Sequence, residues 1–140
     1  MGAEAAILGH ELGHQVLEHL DEAAPPGDLL WSRQQELDAD MAGWAFMFAS
    51  ALEDGDSDAF LWRFACADFS LRTIKLLDDC RPVSLFENST HPSPALRLAS
   101  LDDMARSIAG DDSSYQTLMA LPNTIQKACD EVVAIFGHGR

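Results

Sequence analysis

The stretch Ile7-Leu8-Gly9-His10-Glu11-Leu12-Gly13-His14-Gln15-Val16-Leu17-Glu18-His19-Leu20 decides how the chain is read. Its apolar residues Ile7, Leu8, Leu12, Val16, Leu17 and Leu20 recur at three- and four-residue spacing, the period of a helix. The spacing predicts a helix from Ala3 to Leu20. Residues four apart on a helix lie about 40° apart in azimuth and roughly 6 Å apart along the axis. The imidazoles of His10 and His14 therefore point to one side, where they can share one ion. Glu11 is their neighbour on the same helix and can reach a water held there.

Outward from this helix, the segment 21–28 carries Pro25, Pro26 and Gly27, which end it and form a loop. A second helix is expected from about Trp31 to Leu52, with Trp44, Phe46, Met47 and Phe48 as a core stripe, stopped by the polar turn 53–57. Asp58 is placed to cap a third helix reaching about Leu77, with Phe60, Leu61, Phe64, Leu71, Ile74 and Leu77 as its core face. Pro82, Pro92 and Pro94 make residues 78–94 a loop. Ser93 caps and Pro94 opens a fourth helix to about Ile108. Asp111 or Ser113 starts a last helical region through Phe136, interrupted near Pro122, and residues 137–140 read as a frayed tail. No strand-like alternation persists and no repeat is visible, so the expected fold is all-α or nearly all-α, one domain over residues 1–140.

Composition narrows the function. A chain of 140 residues with 47% hydrophobic and 8% aromatic content can bury the core of a soluble domain. The net charge of -14 repels phosphate backbones, which argues against nucleic acid as a partner. The longest apolar run, 41–52, is too short to span a bilayer, and no basic segment precedes an apolar stretch at the start. Cys66, Cys80 and Cys129 are widely spaced and odd in number, which favours free thiols packed in helices and a reducing compartment such as the cytoplasm. Upstream sequence, if the chain is part of a longer protein, would open a periplasmic or membrane-associated setting.

A metal site needs more than two imidazoles. Zinc accepts nitrogen and carboxylate ligands in a tetrahedron and, in catalytic sites, takes three protein ligands and a water. Glu36 lies 22 residues after His14 on the next expected helix, which the proline-rich loop lets fold back against the first. Asp40 follows by one helical turn on the same face. There it can accept a hydrogen bond from the far nitrogen of a ligand histidine. The expected site is one zinc ion on His10, His14 and Glu36, with Glu11 as general base and Asp40 behind the ligands.

These motifs resemble the gluzincin metallopeptidases, and within them the M48 group of Ste24- and HtpX-like peptidases. His10-Glu11-Leu12-Gly13-His14 followed by Glu36-Leu37-Asp38-Ala39-Asp40 carries the likeness. His19, five residues after His14, matches the group's HELGHxxxxH extension, and Ala39-Asp40 with Gly43 matches its ExxADxxG form. Thr90-His91-Pro92 with Arg97 resembles its downstream THPxxxxR segment. The resemblance implies zinc ligation by His10, His14 and Glu36, catalysis by Glu11 and orientation by Asp40. It also implies that His91 and Arg97 approach the site, His91 as an oxyanion donor or a reversible fourth ligand. His19 reads as structural, paired near Glu18 or Glu22.

The chain departs from that group in two ways. Its typical members carry membrane helices, and zincins generally place a small β-sheet before the helix that bears the two histidines. This sequence starts nine residues before His10, leaving no room for such a sheet. Upstream sequence or another chain would then supply the platform for a peptide or protein substrate. Otherwise the chain is a non-catalytic zinc-binding helical module or an inactive homologue. A helical interaction protein with a fortuitous motif is the third reading.

Overall fold

In a computed structural model, described for residues 2–19, 25, 27–53, 55–81, 83–87 and 89–137, the chain forms five helices and no strand among the described residues. They are α1 (Gly2–Val16), α2 (Leu29–Glu53), α3 (Ser57–Asp79), α4 (Pro94–Ala109) and α5 (Asp112–Phe136). The fold is all-α, as the periodicity indicated. No helix among the described residues is long and apolar enough to cross a membrane.

The core lies where α2, α3, α4 and α5 meet. Trp44, Met47 and Phe48 of α2 pack with Phe64 and Leu71 of α3, Leu101 and Ala105 of α4, and Leu118 and Met119 of α5. Burying one such aromatic or aliphatic side chain is worth about 1.5–3 kcal/mol. Phe46, the fourth residue of the α2 stripe, is exposed. So is Leu77, and Ile74 is partly so, leaving Phe64 and Leu71 as the fully buried members of the α3 face.

Caps set the helix ends. Ser93 accepts a hydrogen bond from Leu96 N–H, and Pro94 opens α4. Asp111 accepts from Ser114 N–H at the start of α5. The cap of α3 is Asp56 instead of Asp58: its carboxylate accepts from Ala59 N–H, which starts the helix two residues earlier. The helix also takes in Asp78 and Asp79, so the irregular connection is shorter than residues 78–94. Pro122 does not interrupt α5. It has no N–H for the Leu118 carbonyl, yet it is almost wholly buried beside Leu118 and Met119, and packing against α3 and α4 carries the helix through it.

The first helix ends at Val16, four residues short of the expected Leu20, which itself lies outside the described residues. Glu18 takes the left-handed conformation (φ 57°). Its N–H then bonds to Gln15 O at 3.2 Å, and His19 N–H bonds to His14 O at 3.0 Å. These two bonds are a Schellman terminus, with Glu18 where glycine is usual. The turn folds His19 back over the last turn of α1. Residues 138–140, the rest of the expected tail, lie outside the described residues, as does Pro26 in the loop.

Small residues bring α1 unusually close to α2. A Cβ on Gly9 would lie 3.0 Å from the Gly43 carbonyl oxygen, and one on Gly43 would lie 2.5 Å from the Gly9 carbonyl carbon. Gly13 faces Ala39, so the pairs 9–43 and 13–39 run antiparallel. The two backbones come into direct contact at this crossing, which brings side chains of both helices together on either side of it.

Candidate metal centre

The crossing delivers three donor groups to one point. His10 and His14 project from α1, and Glu36 projects from α2 toward them. His10 Nε2 lies 3.2 Å from His14 Nε2 and 3.4 Å from Glu36 Oε2, and His14 Nε2 lies 3.4 Å from Glu36 Oε1. A tetrahedral ion with bonds of about 2.0–2.1 Å has ligand–ligand edges of about 3.3–3.4 Å, so these separations suit one small ion. The donors are close enough to hold a metal ion. All three residues are half-buried.

Behind His10 stands Asp40, 1% exposed. Its Oδ1 is 2.9 Å from His10 Nδ1, and Arg97 clamps the same carboxylate with Nε on Oδ2 and Nη2 on Oδ1, both at 2.6 Å. A carboxylate holding a bidentate guanidinium accepts the third bond too, so His10 Nδ1 carries a proton and Nε2 faces the ion point. Arg97 thus acts on the site through Asp40, one step back from the donors. His14 is oriented differently: its Nδ1 lies 3.1 Å from His19 Nδ1, with the rings edge to face. His19 pairs with His14, in place of the expected Glu18; Glu22 lies outside the described residues.

The electrostatics follow from these contacts. The hydrogen bond to Asp40, and then that to Glu36, raise His10 from the ordinary 6.5 to about 9. Burial works against ionisation of Glu36, but hydrogen bonds from His10 and His91 outweigh it and hold the carboxylate at about 2. Burial lowers His14, and the Glu36 charge offsets this only in part. Without an ion, His10 is thus an imidazolium at neutral pH. Its Nε2–H then faces the Glu36 carboxylate, with His14 Nε2 alongside.

Glu11 is exposed on α1 beside the histidines, near enough for its charge to act on His14. His91 reaches the site from the loop before α4, with Nδ1 2.6 Å from Glu36 Oε2. The loop is pinned from α2 by Arg33, which donates to Phe86 O, Glu87 O and Ser89 O at 3.1–3.2 Å. Buried Asp78 holds its other half through Ser84 Oγ and Leu85 N–H, and Pro92 is buried. A cavity of about 200 Å³ opens next to His10 and His91, walled by Ile7, Trp44, Leu71 and Ile74.

No family model, curated protein or solved structure matches this chain. The site therefore stands on its own geometry. All seven residues that the sequence singled out, His10, Glu11, His14, Glu36, Asp40, His91 and Arg97, fall within one region. His19 and Arg33 add to it. The HELGHxxxxH spacing marked His19 but not its partner, which depends on a backbone turn, and Arg33 depends on a loop path with no motif of its own. Cys66, Cys80 and Cys129 are free and half-buried.

Proposed function

We propose that this chain is an M48-like zinc metallopeptidase domain that hydrolyses peptide bonds with Glu11 as general base. The observation that carries the reading is the convergence of two Nε2 atoms and one carboxylate at 3.2–3.4 Å, with the far nitrogen of His10 fixed by a buried carboxylate. Two nitrogens and a carboxylate are the donor set of a catalytic zinc, and no thiol is among them.

Zinc bound there would supply Lewis acidity to a carbonyl oxygen and acidify a water molecule toward neutrality. The remaining chemistry belongs to the chain. Glu11 takes the proton of the attacking water and returns it to the departing amine. Glu36, ionised at all ordinary pH, contributes the one anionic ligand. Asp40 and Arg97 keep the His10 ring aimed. His91, already on Glu36, is placed to donate to an oxyanion or to turn inward as a reversible ligand. The cavity beside His10 and His91 offers room for an apolar side chain of a bound peptide. Three free thiols fit a reducing compartment such as the cytoplasm.

The test is metal analysis paired with hydrolysis of an unstructured polypeptide. Wild type and Glu11→Gln should each carry one zinc per chain, with the variant slower by about 10²–10⁴-fold, the range for loss of a general base. His14→Ala should lose the metal. Full activity in Glu11→Gln would refute the assigned role. A zinc-loaded wild type that cleaves nothing would leave a non-catalytic zinc module in its place.

A further inference from the structure

His10 and His14 are oriented by unlike partners, and the second partner points to an unassigned role. We propose that His19 is the positioning residue for His14: its Nδ1 accepts the Nδ1–H of His14 and locks that ring with Nε2 facing the ion point. The inference rests on the metal reading above and extends it to a residue outside the motif pair.

The geometry leaves little choice of donor and acceptor. His14 Nε2 lies 3.2 Å from His10 Nε2 and 3.4 Å from Glu36 Oε1, so this is the atom that faces the ion. A neutral imidazole that offers the Nε2 lone pair holds its proton on Nδ1. That proton points at His19 Nδ1, 3.1 Å away, so His19 accepts there and keeps its own proton on Nε2. The left-handed Glu18 makes this contact possible. A helix continued past Val16 would carry residue 19 about 140° around from His14 and roughly 7.5 Å further along the axis, out of reach. The chain instead places a non-glycine residue at φ 57° and anchors the turn with the His19 N–H to His14 O bond. Backbone and side chain of His19 thus both grip His14. A ligand histidine whose far nitrogen loses its partner typically forfeits 10–100-fold in metal affinity.

Two substitutions separate positioning from simple support of the helix end. His19→Phe keeps a flat ring and removes the acceptor. His19→Asn places its Oδ1 acceptor at the branch position that Nδ1 occupies. Chelator-stripped proteins are titrated with Zn²⁺ against a chromophoric competitor, and thermal unfolding of the metal-free forms is followed alongside. His19→Phe should bind Zn²⁺ about 10–100-fold more weakly, His19→Asn should recover most of that loss, and the metal-free midpoints of the two variants should agree. Equal affinity in wild type and His19→Phe overturns the inference, as does a His19→Asn no tighter than His19→Phe. A wild type that takes up no Zn²⁺ overturns the metal reading itself, a separate outcome.

Discussion

Replacing Gly43 with alanine sets two physical effects against each other. Gly43 lies in the middle of α2, where exchanging glycine for alanine favours a helix by about 1 kcal/mol. Propensity alone therefore predicts a more stable protein. The added Cβ, however, would lie 2.5 Å from the Gly9 carbonyl carbon and 2.7 Å from both Gly9 O and His10 N. Ordinary contact begins near 3.4 Å, so the helices must separate by several tenths of an ångström to nearly one. The obstacles are backbone atoms, which cannot rotate aside. Overpacking of this kind costs about 1–3 kcal/mol, so the net effect is a loss of about 1 kcal/mol. The push falls on the backbone of His10, whose Nε2 is 3.4 Å from Glu36, and displacements beyond about 0.5 Å take such a constellation out of productive geometry. Gly43→Ala should therefore be less stable to urea and bind Zn²⁺ at least about tenfold more weakly, roughly 1.4 kcal/mol. Gly9→Ala, whose Cβ would meet Gly43 at 3.0–3.3 Å, should show the same effects in milder form. A Gly43→Ala protein as stable as wild type, with unchanged Zn²⁺ affinity, would refute the argument that the close crossing builds the site.

Further expectations concern charge and the loop. In the metal-free protein His10 titrates at about 9 against an ordinary 6.5, so its contribution to stability is complete below pH 6.5 and is lost as pH rises through 9. Urea unfolding of metal-free wild type should therefore weaken across that window, and His10→Gln should remove this part of the slope. Zn²⁺ must displace the same proton, so calorimetry in buffers of different ionisation enthalpy should find about one proton released per ion at neutral pH, declining above pH 9. Arg97→Met strips a bidentate partner from buried Asp40 and should cost about 3 kcal/mol in urea unfolding; an unchanged midpoint would contradict the assigned clamp. Arg33→Met frees three loop carbonyls and with them the approach of His91. It should leave zinc content unchanged while lowering kcat about tenfold, roughly 1.4 kcal/mol.

Local chemistry made much of this readable from sequence. The Ser93-Pro94 start of α4 and the Asp111 cap of α5 are decided by a few adjacent atoms, and they fall where the sequence puts them. The same holds for His10 and His14, because their spacing is a property of any helix, and for Glu36 and Asp40 as a pair on one face of α2. Long-range and left-handed features were not readable. Glu18 ends α1 in a conformation that its residue type does not announce, so the helix stops short and His19 finds His14. Pro122 carries a strong local stop signal that burial overrides. Arg33 reaches carbonyls more than fifty residues away, and carbonyls carry no sequence identity. Leu77 fits the apolar period of α3 yet faces solvent, because periodicity marks an apolar stripe without saying how far the neighbouring helices extend over it.

X-ray absorption at the zinc edge reports directly on whether His10, His14 and Glu36 hold one zinc ion. Dialysed protein should hold one zinc per chain, with a first shell of nitrogen and oxygen alone at about 2.0–2.1 Å and the imidazole signature lost in His14→Ala. A sulfur shell at about 2.3 Å would place the ion on the cysteines instead, and protein that retains no zinc would contradict the site outright.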